Sequence, residues 1–429
     1  MAIDVRGRLT SYYHRPAVSG LKAVAGERVE RRWGAVAAYA LLAASTQLLW
    51  LTYAPLTTAS AHHYRVSETA IGWLAEIFPL LYVVLAIPAG RLLDRAFHRW
   101  LAVGAVLTAA GGLVRLAGDN YAWALAGQIL VAVAQPLVLN AVTKVAAEYL
   151  PASLRPHGIA IGSAGIFAGM LLALVLGTAL GGREIATLLV IQAACAALAA
   201  LVLCSQLRRR GVGSPQDEAV AVGVAALRAV WADPGVRVLS GLLFLGFGAF
   251  IALTTWLQAL LHHYHVSANA AGLLLVGMVL AGAIGSAALP PVLVRRRAER
   301  SVIAASIAAV VVGGVVLAFA HGIAIDAVML VPMGLLLLTD LPVVLELSER
   351  GAGRAAGTVA ALLWLAGQLG GLVVALAVQV LVHHPTAAFL LLAAVGVCAV
   401  PLLARLGPVL AAPRHQAVGA ASEGIAAVG

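Results

Sequence analysis

The stretch HHYRVSETAIG, His62 to Gly72, returns as HHYHVSANAAG, His262 to Gly272, with seven of eleven residues identical two hundred positions later. Each copy lies between two long apolar runs. That period is too long for a solenoid repeat of roughly 20 to 50 residues, so the chain reads as a duplicated membrane protein. Hydrophobic residues make up 62% of the 429 and charged residues 11%, against roughly 45–50% and 25% in a soluble domain. A water-soluble core is excluded. A helical span needs about 20 apolar residues, and twelve such runs can be marked: 34–59, 70–90, 100–118, 121–144, 158–182, 185–206, 237–261, 268–294, 302–321, 326–347, 355–382 and 386–406. The expected fold is an all-α polytopic membrane protein with 12 transmembrane helices in two pseudo-symmetric six-helix bundles, 34–206 and 237–406. A segment 1–33, a linker 207–236 and a tail 407–429 complete it.

Charge sets the expected orientation. The first 33 residues carry Arg6, Arg8, Arg15, Lys22, Arg28, Arg31 and Arg32 without an apolar stretch, which predicts a cytoplasmic segment and not a cleavable signal peptide. An even number of spans then returns the C-terminus to the cytoplasm. Of 28 Lys and Arg, only Arg65, Arg115 and Arg183 fall outside or toward the outer end, so the net charge of +10 reads as a topology signal. With no basic soluble domain to carry it, nucleic acid is not an expected partner; the lipid bilayer is. Cys195, Cys204 and Cys398 lie inside apolar runs, which excludes an external disulfide. The linker begins Arg208, Arg209, Arg210 and offers an amphipathic run from Ala225 to Trp231, suited to the membrane surface. The expectation is a multi-pass monomer of the plasma or inner membrane.

Polar residues within the spans mark candidate sites, because each needs a partner or a wet cavity inside hydrocarbon. In span one, Thr46, Trp50, Tyr53 and Thr57 follow i, i+4, i+7, i+11 and would share a helix face, with Gln47 beside it. The duplication places Phe250 at the position of Trp50, which predicts facing aromatics across the axis. Gln128 and Gln135 are seven apart in span four, and Trp364 and Gln368 four apart in span eleven. Three acids are candidates for coupling. Asp340 lies near the middle of span ten and is the first choice; Glu76, near the outer end of span two, is the second, with a structural salt bridge to Arg115 as its simpler reading. Glu346, near the inner end of span ten, could pair with Lys144, Arg350 or Arg354. A carboxyl that alternates between burial and a charged or wet setting can bind and release a proton, so protons are a candidate coupling ion. Eight of twelve histidines, including the His-His pairs of both boxes and His383-His384, fall at outer helix ends. They read as helix-end residues, since no metal-ligand spacing is present, or as box pairs that approach to sense pH or bind a metal ion.

The loop after span two reads Gly90, three residues, Asp94-Arg95, then Arg99. Glycine permits close helix approach, and the charged pair can bond across neighbouring helix ends as a gating latch. Here the chain resembles the major facilitator superfamily, which implies that fold and alternating access, although Phe97 replaces the usual second glycine. Span five carries Gly165, Gly169, Ala173, Gly177, Gly181 and Gly182, a smooth face similar to the antiporter motif of exporters, with Thr178 in place of its proline. Patches also resemble the feline leukemia virus subgroup C receptor-related branch: Trp50 with Tyr53, Ala134-Gln135, Gly248-Ala249-Phe250, Leu341-Pro342 with Glu346, and Gln368. That branch has been assigned haem export and choline transport, and the resemblance implies that Trp50, Gln135 and Gln368 line a substrate site. Ile251 stands where the branch has a cavity tyrosine, and Asp340 where it has an uncharged residue.

The expected function is therefore secondary active or facilitative transport of a small organic solute such as a choline-like cation, with a proton-coupled exporter of amphipathic compounds as the alternative. The candidate substrate-binding set is Trp50, Tyr53, Gln47, Gln135, Phe250, Gln368 and Asp340. An integral-membrane enzyme or sensor is disfavoured: the chain has no nucleophile elbow, no His-Glu-x-x-His and no signalling domain. No phosphate-binding glycine loop occurs either, so no cofactor is implied and energy must come from gradients.

Overall fold

The computed structural model describes residues 32–151, 154–180, 184–208, 228, 230–352 and 356–407. It contains 12 helices long and apolar enough to cross a membrane, and no strand occurs among the described residues. Span one is the broken segment Trp33–Tyr64. Spans two to six are Glu68–Arg95, Phe97–Val114, Tyr121–Leu139, Arg155–Leu180 and Ile185–Leu207, with a short helix Val142–Tyr149 between four and five. Spans seven to twelve are Pro234–His262, Ala268–Arg296, Glu299–Phe319, Ile323–Ala352, Ala356–Val380 and Pro385–Ala404. The segment 1–31, Gly181 to Arg183, most of the linker with its amphipathic run, and the tail from Pro408 lie outside the described residues.

The repeated box has a local structural cause. Arg65 (φ 55) and His265 (φ 61) take the left-handed conformation that ends one helix. The following valines turn back, Val66 N–H to the Ala61 carbonyl at 3.0 Å and Val266 N–H to Leu261 at 3.2 Å. Ser67 and Ser267 then cap the next helix, accepting from the Ala70 and Ala270 amides at 3.2 and 3.3 Å. The box is thus a helix stop joined to a helix start, used once in each half.

Span one and span seven, related by the duplication, differ in continuity. Span seven is one helix, whereas span one passes through a 3₁₀ segment, Leu51–Leu56, that contains Pro55. Proline has no N–H for the helical ladder. Gln128 reaches over from span four to donate to Leu49 and to Leu74 of span two, each at 3.1 Å. Residues three apart eclipse in a 3₁₀ turn, which corrects the continuous helical stripe expected for Thr46 to Thr57.

Helix contact relies on small residues, as expected where lipid removes the hydrophobic drive for association. A Cβ at Gly165 or Gly169 would stand 2.4 or 2.1 Å from the carbonyls of Ala40 and Ala44, and one at Gly177 2.5 Å from Pro55 Cγ. The small-residue face of span five is therefore occupied by span one of the same half. In the second half Gly370 meets the Phe244 carbonyl at 1.9 Å by the same measure.

The end of the molecule that carries the two boxes is here the histidine end, and the opposite one the arginine end. Toward the histidine end a single buried core joins both halves, from Leu48, Trp50 and Phe78 to Phe250, Trp256 and Met278. At the arginine end each half has its own: one around Tyr39, Leu93, Leu101 and Leu203, the other around Leu239, Ile303, Leu347 and Leu406. Among the described residues, the buried cores of the two halves join at the histidine end and stay separate at the arginine end.

Candidate functional site

The seal is built from positions the duplication relates. Thr58 and Gln258, offset by two hundred, meet directly: the Thr58 amide donates to Gln258 Oε1 at 3.0 Å and Gln258 Nε2 donates to Thr58 Oγ1 at 3.2 Å. The Thr58 hydroxyl donates onward to Glu68 Oε1 at 2.7 Å. The last residue of each box then receives a side chain from the other half. A Cβ at Gly72 would lie 2.0 Å from the Trp256 ring, and one at Gly272 2.1 Å from Thr178 Oγ1. Gln258→Leu removes two hydrogen bonds that only the sealed state makes, worth about 1–3 kcal/mol. A cysteine at the buried Ser60 should then react several-fold faster with a water-soluble thiol reagent; unchanged labelling would show that this clasp does not hold the seal.

Trp50 stands just inside the seal. Its indole Nε1–H donates to the Ala75 carbonyl of span two at 3.1 Å, and its ring lies 6.2 Å from Phe78. The expected pairing with Phe250 is corrected: Phe250 packs on Phe247 at 5.9 Å, and Phe247 in turn on Trp364 at 5.7 Å. The two aromatics share the joint core but turn to their own halves, Trp50 to Phe78, whose counterpart in the duplication is Met278, and Phe250 to Phe247. Tyr53 also faces span two, but in a separate cluster with Ile71, Leu74 and Ile185, with its hydroxyl 3.5 Å from Tyr64. It belongs to the interior of the first half and not to the path between halves. Gln47 is buried, with only a 3.4 Å contact to Thr46 Oγ1. The amides of Gln135 and Gln368, one in each half, make no hydrogen bond within the protein among the described residues, although both side chains are largely enclosed. Gln128 shares their residue type, yet its amide nitrogen is taken up by the carbonyls of Leu49 in span one and Leu74 in span two.

The acids fall in three places. Glu76 is fully buried where span two meets span seven; neither oxygen is hydrogen-bonded, and the group faced is the Thr255 hydroxyl. The salt bridge to Arg115 is corrected. Arg115 donates to Thr52 Oγ1 at 2.9 Å and Gln192 Oε1 at 3.2 Å inside the first half. Asp340 does not join Trp50 either. It lines a cavity of about 30 Å³ enclosed by spans seven, nine, ten and twelve of the second half, together with Ser306, Leu243, Phe247 and Gly396. That is room for about one or two waters and not for an organic solute. Glu346 is on span ten, but its side chain and Arg354 lie outside the described residues.

At the arginine end Asp94 pairs with Lys144 of the short helix after span four, so Lys144 is committed within the first half. Arg95 and Arg99 are exposed. A Cβ at Gly90 would meet nothing within 4 Å among the described residues, which corrects the expected close helix approach at this position. The histidine pairs also stay apart. His63 bonds Asp119 at 2.7 Å, while His263 bonds the Ala259 carbonyl at 2.9 Å and lies 6.0 Å from His383. No group of three or more His, Cys, Asp or Glu positioned for a metal occurs among the described residues.

Sequence reasoning missed Phe78, Thr255, Trp256 and the gating part of Gly72 and Gly272. For the glycines a signal existed, since both copies of the box end in one. For Thr255 it was subtle: Thr255 stands opposite Pro55 in the duplication, so the break in one half leaves a hydroxyl in the other.

The Major Facilitator Superfamily model matches residues 35–375. "Solute carrier family 49 member A3" of Xenopus tropicalis is 25% identical over 255 residues, 54% of this chain and 52% of that protein. "Choline/ethanolamine transporter FLVCR2" of Homo sapiens is 28% identical over 127 residues, 29% of this chain and 24% of that protein. The matched stretches thus span about half or less of these relatives' lengths. Among solved structures, a bacterial homologue of the human lysosomal transporter Spinster, in an inward-facing and unoccupied conformation, superposes with a TM-score of 0.65 at 17% identity, covering 90% of this chain and 97% of that one.

Proposed function

The chain belongs to the major facilitator superfamily, and on that premise we propose that it carries a small organic cation, a choline-like amine, across the membrane by alternating access. The observation that carries this reading is Trp50: an indole held by its own N–H against span two, at the junction of the two halves, beside Phe78. A quaternary or primary ammonium over such a face gains roughly 0.5–2 kcal/mol, more as water leaves. Gln135 and Gln368, one amide from each half and neither committed within the protein, supply acceptors for a hydroxyl or ammonium group. Two relatives whose names state choline and ethanolamine as substrates lend the chemistry further support. The seal at the histidine end and the separate cores at the arginine end correspond to one of the two states that rocking halves adopt. In the proposed orientation the histidine end is extracellular, and the arginine end, with both termini, faces the cytoplasm. The bilayer is the plasma or inner membrane, and the working unit is the monomer.

The test is a thermal-shift screen of the purified protein against choline, ethanolamine, amino acids, haem and hydrophobic drugs. Choline-like amines should stabilise it. Trp50→Leu, which keeps bulk but removes the π face, should weaken that effect about 3- to 30-fold in apparent affinity. Stabilisation only by amphipathic drugs, indifferent to Trp50, would replace this reading with the exporter.

A further inference from the structure

Among the carboxyl groups with buried oxygens that no partner meets, Asp340 and Glu76 lie deepest in the spans, and the fold gives them different fates. Asp340 sits inside the second half, where all four helices around it belong to one bundle. Halves that rock as rigid units carry such a pocket along with its surroundings unchanged. Glu76 lies instead between halves. Span two packs on spans seven and eleven of the other half, and Glu76 faces Thr255 one residue before Trp256, the side chain that fills the notch at Gly72. Opening the seal must draw Gly72 away from Trp256 and wet the carboxyl one turn below it.

Among the described residues no other charge meets Glu76 on the surrounding helices. On the first-half side, the Tyr53 hydroxyl faces Tyr64, Tyr121 donates to the Ala70 carbonyl at 2.8 Å, Arg115 is bonded to Thr52 and Gln192, and His63 is bonded to Asp119. On the second-half side, span seven presents Thr255 and Trp256, with Arg237 and His262 only at its two exposed ends, and span eleven has no titratable residue. An ionised carboxylate sealed there would have neither counter-ion nor hydrogen bond, a cost of several kcal/mol. A neutral carboxylic acid beside a hydroxyl carries no such cost.

We propose that Glu76 is a proton-binding site that couples the seal at the histidine end to pH: the seal closes with a proton on Glu76 and releases it when the halves part. The sign follows. Closing takes up one proton, so acid favours the closed state and alkali the open one, with at most a ~10-fold change in the closed-to-open ratio per pH unit. A proton moving with each cycle would make the histidine-end gate the coupling point of transport, in place of Asp340. The proposal rests on the alternating-access reading above but not on the choice of substrate.

The experiment uses the full chain in nanodiscs, its three cysteines replaced by serine, with spin labels at His62→Cys and His262→Cys and no added solute. Distance distributions across the histidine end should shift toward the closed form as pH falls. Glu76→Gln, permanently neutral, should stay closed at every pH; Glu76→Leu should do the same if the glutamine variant does not fold. Asp340→Asn should keep the wild-type response. A flat wild-type profile, or an unchanged pH response in Glu76→Gln or Glu76→Leu, would overturn the proposal. Because no solute is present, either outcome leaves the thermal-shift test of substrate class untouched.

Discussion

Gly72→Leu is expected to hold the histidine end open and to stop transport while leaving a folded protein. Even a Cβ at this position would come within 2.0 Å of the Trp256 ring, which is fully buried and has no free space to move into. Within its own half Gly72 makes no comparably tight contact, so the clash falls on the sealed state alone. Overpacking of this kind costs about 1–3 kcal/mol or more, enough to shift a two-state equilibrium by roughly 5- to 150-fold. Labelling of a cysteine at Ser60 reports the opening. Trp256→Ala in the same chain should restore closure by removing the obstacle, and Gly272→Leu should repeat the effect through Thr178 on the other side of the axis. If Gly72→Leu transports at the wild-type rate, the box glycines have no part in the gate.

Gly169→Leu and Gly90→Ala should separate two glycines that look alike in sequence. At Gly169 the obstacle is the Ala44 carbonyl, 2.1 Å from an added Cβ. Backbone in a packed helix cannot turn aside as a side chain can. Spans one and five would be forced apart, with a loss of more than about 3 kcal/mol; the expected result is a strong fall in melting temperature or no monodisperse protein in detergent. Gly90 has open space around its Cβ direction, so alanine there should leave stability unchanged or raise it by roughly 0.5–1 kcal/mol through helix propensity. Equal melting temperatures for the two variants would mean that the span-five face is not a packing surface.

Much of the molecule was legible before any coordinate. Length and apolarity are local properties, so twelve spans could be marked from runs of about 20 residues. The repeated box announced the duplication, while its left-handed stop and serine cap came from the structure. Helical spacing misled where one proline intervened. Pro55 lies in the 3₁₀ segment Leu51–Leu56, and with that segment went the predicted continuous stripe from Thr46 to Thr57.

By itself the sequence determined the duplication, the number of spans and the list of polar residues that hydrocarbon makes costly. Tertiary structure decided whom those residues meet. Glu76 and Arg115 looked like partners because they lie at similar depth, yet one faces the other half and the other its own. Asp340 looked central because it is mid-span, yet its azimuth turns it into a cavity of the second half. Depth along a helix is set by counting residues, whereas azimuth and neighbour are set by how twelve helices pack together. Small residues, a broken turn and a duplicated axis fix that packing, and no run of twenty letters contains it.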